Sequence, residues 1–233
     1  MSEFLVLWDL DGTLCPHSPT FHQQAPQAVA NAALAAGVGL SAEAALEFAR
    51  ANYPGQKTAV QAFATRFNLD AQALFQLYYH HLKPDFLIVD AAFNELIKKS
   101  TVAMRHGVFT QAPAIWIDKA LEELGLLHHF DNRWLLGYER LGRSPKNSEL
   151  TYTTLADELA RSGYSPQQVA IIDDRDFILQ QLEPLAQHRV CISSESGHTE
   201  GLLYKSSVMS ALQYLLKKLA LLDCGQGSVT VDR

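Results

Sequence analysis

The distribution of apolar and polar positions along the chain changes twice, and these changes predict the architecture. Residues 4–8 form an apolar run that stops at Asp9 and meets Gly12, a pattern typical of a buried parallel strand ending in a tight turn. From about residue 20 to residue 100 the sequence is rich in alanine and its apolar positions recur at helical spacing, without a convincing strand. The pattern predicts a helical module inserted after the first strand.

Local signals place several helices in this module. Helical patterns cover residues 26–36, 42–51 and 71–80; Pro26 suits a first helical turn, Ser41 precedes the second helix and Asp70 the third. Residues 16–20 and 84–89, each containing proline, are the candidate hinges. We therefore predict a helical cap of residues 19–85 and an α/β core formed by residues 1–18 and 86–233.

After the module, short apolar runs alternate with helical patterns of about 10 to 15 residues. The predicted strands cover residues 102–109, 134–137, 169–172 and 189–192, and the predicted helices cover residues 114–124, 150–160 and 177–186. This alternation predicts βαβ units in a doubly wound parallel sheet, which binds ligands at the carboxyl ends of its strands. Residues 207–222 form an amphipathic helix that packs on the sheet or forms an oligomer contact, and residues 224–233 form a polar tail.

Composition narrows the classes of partner. A net charge of −6 argues against a surface for a nucleic acid polymer, since phosphate backbones are bound by clustered Lys and Arg. No apolar run reaches the ~18 residues of a membrane span, and the N-terminus lacks a secretory signal, so a cytoplasmic protein is expected. Cys15, Cys191 and Cys224 show neither disulfide nor zinc-ligand spacing. Neither a GxGxxG motif nor a P-loop is present, so a nucleotide cofactor is not indicated.

The first candidate for chemistry is a pair of carboxylates directly after the first strand. Asp9 and Asp11 lie two residues apart, and Gly12 permits the turn that lets both face one site. A carboxylate can attack phosphorus, and a neighbouring acid can protonate the leaving alkoxide and then deprotonate water. Two such charges facing a phosphate need a cation, and oxygen ligands suit Mg²⁺. The structural alternative is an Asx-type turn that caps a helix.

Residues 9–14, Asp-Leu-Asp-Gly-Thr-Leu, resemble the signature of the haloacid dehalogenase-like hydrolase superfamily. The resemblance implies a Rossmann-like core, with Asp9 as nucleophile and Asp11 as general acid and base. Dehalogenases of this superfamily lack the second Asp, so Asp11 points to phosphoryl transfer.

The same resemblance assigns a phosphate-binding role to the strand end at Thr110. The family places a Thr or Ser here, and it binds phosphate through its hydroxyl and neighbouring backbone N–H groups. Gln111 follows where Asn is common. The alternative is that Thr110 is simply a helix N-cap.

A lysine that neutralises both nucleophile and phosphate is also implied by the resemblance. Lys146 is the candidate, but the usual Lys-Pro order is inverted at Pro145, and Arg143 competes for the role. Without the resemblance, a lysine in a polar loop would be read as solvated surface.

The implied metal motif is an apolar strand ending in adjacent acids. Asp174 is expected to bind Mg²⁺ directly and Asp173 directly or through water, together with Asp9 and Asp11.

One expected acid of that motif is missing, because Ile178 occupies its position. Asp176 could substitute for it, or Arg175 could pair with the acidic cluster. The acids could also serve only to cap the helix that follows.

The cap looks like that of the pyrimidine 5′-nucleotidase and phosphoglycolate phosphatase-like branch, and its Tyr78, Tyr79, His80 and His81 could stack on a base or simply pack. The prediction is therefore a Mg²⁺-dependent phosphatase acting on a small phosphorylated metabolite, nucleoside monophosphates ahead of phosphoglycolate or sugar phosphates. The alternatives are a phosphomutase and a catalytically degenerate binding or regulatory protein. No membrane partner is expected, and a homodimer remains an open alternative.

Overall fold

One parallel β-sheet forms the centre of the computed structural model, which describes residues 4–53, 56–193 and 199–225 of the 233-residue chain. Its strands are β1 (Phe4–Trp8), β2 (Met104–Phe109), β3 (Phe130–Leu136), β4 (Val169–Asp173), β5 (His188–Ile192) and β6 (Leu203–Lys205). They lie in the order β3-β2-β1-β4-β5-β6, and every neighbouring pair is parallel. The predicted doubly wound parallel sheet is confirmed. β1 lies between β2 and β4, so the order reverses beside it, where such sheets bind ligands.

The helices divide by what they contact. They are α1 (Pro19–Ala35), α2 (Ala42–Ala51), α3 (Gln56–Phe67), α4 (Ala71–His81), α5 (Ala91–Ser100), α6 (Ala114–Glu123), α7 (Glu149–Arg161), α8 (Asp176–Gln181) and α9 (Val208–Gly225). Helices α1 to α4, here called the cap helices, pack on one another, and α4 also packs on α6. Helix α5 packs on α9 instead. Within the described ranges, no helix is long and apolar enough to cross a membrane.

Polar caps explain where the cap helices begin. Ser18, Ser41 and Asp70 precede α1, α2 and α4, and the side chain of each accepts a backbone N–H from the first turn. The prediction that Pro26 begins a helix is wrong. Helix α1 begins at Pro19, where a missing N–H costs nothing, and continues through Pro26 because the surrounding helices bury that turn.

Several predicted boundaries in the core are corrected. Strand β2 begins at Met104 rather than residue 102. Strand β3 begins at Phe130 rather than residue 134; it is an edge strand, and its polar side chains interrupt the apolar pattern from which strands were predicted. Helix α8 ends at Gln181 rather than residue 186, since Pro184 cannot continue a helix. Strand β6 was not predicted, and the tail beyond residue 225 lies outside the described residues.

The two faces of the sheet pack against different helices because successive side chains of a strand point in opposite directions. Val6 and Trp8 belong to a core shared with the cap helices, α5, α6 and α9. Leu5 and Leu7 belong to a second core with α7 and α8. All of β1 is buried, so the chain is fixed up to the residue before Asp9.

A buried hydrogen-bond chain lies beneath this first strand. Trp8 Nε1 donates to His106 Nδ1 over 3.1 Å, and His106 Nε2 lies 2.7 Å from the Ser100 hydroxyl, which donates to the carbonyl of Ile97. Because indole N–H is only a donor, Nδ1 must accept and Nε2 must carry the proton. Burial, helped by His129, lowers the pKa of His106 to about 3 and keeps the ring neutral.

This burial predicts a pH-dependent stability contribution. The unfolded imidazole takes up a proton near its ordinary pKa of 6.5, whereas the folded one resists protonation, so the contribution is complete above pH 6.5 and is lost as the pH falls. Compared with His106→Gln, the wild type should lose roughly 1.4 kcal/mol more unfolding free energy per pH unit below 6.5. Urea unfolding at several pH values measures this difference, and parallel curves would refute it.

Candidate active site

The carboxyl ends of three neighbouring strands bring the candidate residues together. Asp9 follows β1, Thr110 follows β2, and Asp173 ends β4. The backbone N–H of Asp9 donates to the carbonyl of Ile172 over 2.7 Å, which continues the β1–β4 pairing up to the carboxylate itself. The sheet therefore fixes the position of Asp9.

Lys146 lies between two of these carboxylates, in the loop before α7. Its Nζ is 2.7 Å from Asp9 Oδ1 and 2.5 Å from Asp173 Oδ2, and it sits over the Phe109 ring at 4.6 Å. The loop is held by the Thr151 hydroxyl, which donates to the carbonyl of Pro145. Lys146 is 3% exposed, whereas Arg143, the other candidate for this role, is an exposed residue. The structure thus places Lys146 rather than Arg143 beside Asp9.

The two buried carboxylates beside Lys146, those of Asp9 and Asp173, differ in how strongly their negative charge is stabilised. Burial raises the pKa of Asp9 to about 7, although Lys146 acts to lower it; the negative Asp173 adds to the rise. Burial also penalises the charge on Asp173, but Lys146 and Arg175 outweigh it and hold the Asp173 pKa below its ordinary value. Asp173 is therefore the permanent counter-ion, and Asp9 is the carboxylate whose charge responds to its surroundings.

Arg175 closes the other side of the acidic cluster. Its backbone N–H and its Nε both donate to Asp173 Oδ1, over 2.9 and 3.3 Å. Its guanidinium lies 3.7 Å from Asp174 Oδ1 and 4.0 Å from Asp9 Oδ1. The alternative in which Arg175 pairs with the cluster is the one the structure shows.

The acids fit a divalent cation. Asp9, Asp173 and Asp174 each offer an oxygen, and these lie within 4.8 Å of one another. Asp174 Oδ1 is buried and accepts no hydrogen bond, and a Cβ on Gly12 would lie 2.3 Å from Asp174 Oδ2. An oxygen donor set with an unsatisfied buried carboxylate suits a hard cation such as Mg²⁺.

Two other positions considered for the metal behave differently. Ile178 lies on α8 and is buried in the core, and Asp176 is not in the three-acid group found among the described residues. The side chain of Asp11 also stands outside that group, so its metal role stays a prediction.

Asp11 is bound by two aromatic side chains that the sequence did not single out for this role. Tyr79 Oη donates to Asp11 Oδ2 over 2.7 Å, and Trp116 Nε1 donates to Asp11 Oδ1 over 2.9 Å. Burial raises the pKa of Asp11, while both hydrogen bonds oppose the rise. No local motif could have revealed these partners, because Tyr79 and Trp116 lie on α4 and α6, far from Asp11 in sequence.

Thr110 is buried beside the same space. Its Oγ1 accepts the N–H of Ala112 over 3.2 Å, and its own N–H donates to the Leu136 carbonyl. The interpretation of Thr110 as the N-cap of α6 is wrong, because that helix is preceded by Pro113, which makes no side-chain cap. Thr110 is therefore available to the site, and Gln111 lies half-buried next to it.

These side chains surround a cavity of about 180 Å³, here called the reaction cavity. It is lined by Asp9, Asp11, His17, Phe75, Tyr79, Thr110, Gln111, Asp174 and Arg175. His17 was not predicted, and burial lowers its pKa, which favours the neutral ring.

A second cavity of about 410 Å³, here called the outer cavity, adjoins the first through Phe75, Gln111 and Arg175. Its other walls come from α3 and α4 on one side and from core loops and α8 on the other. Those walls are Val60, Gln61, Ala71, Gln72, Tyr138, Arg143, Pro145, Asn147, Phe177 and Ile178.

Most of the aromatic cluster Tyr78, Tyr79, His80 and His81, for which stacking on a base or packing was expected, packs against neighbouring side chains. Tyr78 is fully buried against Phe75 and Tyr79, and the rings of His80 and His81 contact each other. Of the four, only Tyr79 lines the reaction cavity. The packing interpretation therefore describes Tyr78, His80 and His81.

The family model described as haloacid dehalogenase-like hydrolase matches residues 5–177. This match includes the residues around the reaction cavity, and the chain belongs to that hydrolase family. No curated protein sequence matches the chain.

Solved structures share the fold across almost the whole chain. A HAD phosphatase from Thermococcus onnurineus is 18% identical with a TM-score of 0.55, covering 91% of this chain and 97% of its own. A magnesium-bound HAD hydrolase from Bacillus subtilis is 15% identical with a TM-score of 0.58, covering 92% and 100%. An L-2-haloacid dehalogenase is 15% identical with a TM-score of 0.56, covering 93% and 100%. Since proteins of two chemistries share the fold, the site must decide between them.

The metal assignment predicts a contrast between two nearby acids. Asp174→Asn removes a carboxylate charge from the three-acid group and should weaken Mg²⁺ binding at least about tenfold, because a protein binds Mg²⁺ through only one or two carboxylates and the loss of one removes much of its contribution. Asp176→Asn is the matched control and should keep the wild-type affinity. Isothermal titration with Mg²⁺ measures both, and the reverse ranking would refute the assignment.

Proposed function

We propose that this hydrolase is a Mg²⁺-dependent phosphatase that cleaves a small phosphomonoester through an aspartyl-phosphate on Asp9. The observation that carries the proposal is the buried contact of Asp9 with Lys146 at a cavity that also contains Asp11 and Thr110. Of the two carboxylates Asp9 and Asp11, a dehalogenase needs only one, whereas phosphoryl transfer needs both a nucleophile and an acid.

In the first step Asp9 attacks the phosphorus atom and the bond from phosphorus to the leaving oxygen breaks. Asp11 supplies the proton that converts the departing alkoxide into an alcohol. Lys146 has three N–H donors and uses two of them on Asp9 and Asp173, so one remains for a phosphoryl oxygen. The Thr110 hydroxyl provides a second contact to the phosphoryl group.

In the second step water attacks the phosphorus of the aspartyl-phosphate. Asp11, now ionised, accepts the proton of that water, the bond between phosphorus and Asp9 breaks, and inorganic phosphate leaves. Both starting charges are restored, so Asp11 acts as acid and then as base in one cycle.

The charges around the cavity explain the need for a cation. With Asp11 protonated for its role as the acid, the carboxylates of Asp9, Asp173 and Asp174 still outnumber the cations Lys146 and Arg175 by one, and the substrate adds its own negative charge. Asp9, Asp174 and Asp173, directly or through water, would hold Mg²⁺, which neutralises charge on the phosphoryl group when bound.

The outer cavity supports a nucleoside monophosphate as the substrate. About 410 Å³ lies within the usual range of small-molecule sites. Phe75, Tyr138 and Phe177 offer ring faces for a base, and Gln61, Gln72 and Asn147 offer amides to its hydrogen-bonding edge. The adjoining reaction cavity would then receive the phosphate.

Phosphate release tests the reaction. The wild type should release phosphate from nucleoside monophosphates faster than from phosphoglycolate or sugar phosphates, and only with Mg²⁺ present. Asp9→Asn should reduce kcat by ~10³-fold or more, because the nucleophile is lost while the shape of the site is kept.

Circular dichroism and a thermal melt provide the folding control for Asp9→Asn. Retained turnover in a folded variant would exclude Asp9 as nucleophile. A sugar phosphate that is isomerised without phosphate release would instead indicate a phosphomutase.

Phe177 tests the substrate assignment separately from the chemistry. Phe177 is 46% exposed and lines the outer cavity, so Phe177→Ala should leave the fold intact. Because base stacking contributes ~1–3 kcal/mol, KM for a nucleoside monophosphate should rise about 5- to 150-fold. KM for phosphoglycolate, which has no base, should change little.

Ile88→Ala is the matched control, since Ile88 is 82% exposed and lines neither cavity. Equal KM changes for both substrates in Phe177→Ala would contradict stacking in the outer cavity.

A further inference from the structure

Asp11 is held by one donor from the cap and one from the core. Tyr79 belongs to cap helix α4 and donates to Oδ2, whereas Trp116 belongs to core helix α6 and donates to Oδ1. Both rings are buried, and their centroids lie 5.8 Å apart. The carboxylate is therefore clamped at the place where α4 packs on α6.

The two donors differ in what they permit. An indole N–H can only donate, so Asp11 Oδ1 must remain an acceptor for as long as Trp116 contacts it. A phenol hydroxyl can donate or accept, so Tyr79 can keep its contact whether or not Oδ2 carries a proton. Oδ2 is thus the oxygen that can carry a proton while both donors keep their contacts.

We propose that Tyr79 is a positioning residue, whose hydroxyl orients Asp11 so that Oδ2 can protonate the leaving-group oxygen. The inference rests on the proposed phosphatase function and adds that the acid is completed by the cap. A cap that moves away from the core removes Tyr79 from Asp11 and leaves Trp116 alone, and the carboxylate is then free to turn.

The chain offers a closely matched control. Tyr78 is the neighbouring residue on α4 and is also buried, but its hydroxyl makes no hydrogen bond within the described structure. Replacing either tyrosine with phenylalanine removes one oxygen and keeps the ring packing against Phe75. The two variants therefore differ in the contact to Asp11.

The test compares leaving groups. An alkyl phosphate needs a proton on its departing alkoxide, whereas p-nitrophenyl phosphate releases a stabilised anion that needs none. Because general acid catalysis contributes ~10²–10⁴-fold, partial misplacement of the acid in Tyr79→Phe should lower kcat/KM for the alkyl ester about tenfold or more. Its kcat/KM for p-nitrophenyl phosphate should fall less than about threefold, since kcat/KM covers only the steps up to departure of the leaving group and leaves out the hydrolysis of the aspartyl-phosphate that both esters share.

Trp116→Phe should show the same leaving-group dependence, and Tyr78→Phe should match the wild type on both esters. Equal losses of kcat/KM on both esters in Tyr79→Phe would indicate a merely structural role and overturn the inference. So would wild-type rates on both.

Asp11→Asn separates failure of the inference from failure of the proposed function. It should show the largest loss of kcat/KM on the alkyl ester. If Asp11→Asn is selective and Tyr79→Phe is not, only the positioning role fails. If Asp11→Asn is not selective, or if the wild type hydrolyses neither ester, the proposed acid chemistry fails and the inference falls with it.

Discussion

The ammonium group of Lys146 lies between the carboxylates of Asp9 and Asp173, and the rest of the site depends on this buried contact. Two carboxylates in a buried space cannot both stay charged without a cation, since desolvation favours their neutral forms. Lys146 and Arg175 stabilise the charge on Asp173, while burial leaves the Asp9 pKa near 7. The site thus combines Asp173, whose negative charge is held in place, with Asp9, whose charge responds to its surroundings.

The features of the site that could be predicted from the sequence are those with a local signal. The apolar strand before Asp9 and the acids at Asp173 and Asp174 mark strand ends, and parallel strands bring their carboxyl ends to one edge. Lys146 was placed by family resemblance, with Arg143 left open. Its burial could not be predicted because it depends on the loop packing through Thr151.

The partners of Asp11 show why the remainder escaped prediction. Tyr79 was read as packing or base stacking, and Trp116 was read as part of a helix, because each meets Asp11 only through the packing of α4 on α6. At Ile178 the sequence was misleading in another way, because the absence of an acid at this position suggested a weakened metal site. In the structure Ile178 fills the core, and Arg175 joins the acidic cluster instead.

Mass spectrometry of the acid-quenched enzyme is the most direct test of Asp9 as nucleophile. Wild-type protein is mixed with substrate and Mg²⁺, quenched within the first turnover and digested, and the peptide containing Asp9 is analysed. The account predicts the added mass of one phosphoryl group, localised to Asp9 and absent from Asp9→Asn. Phosphate release with no phosphorylated aspartate at any quench time, or a phosphoryl group on another residue, would contradict it.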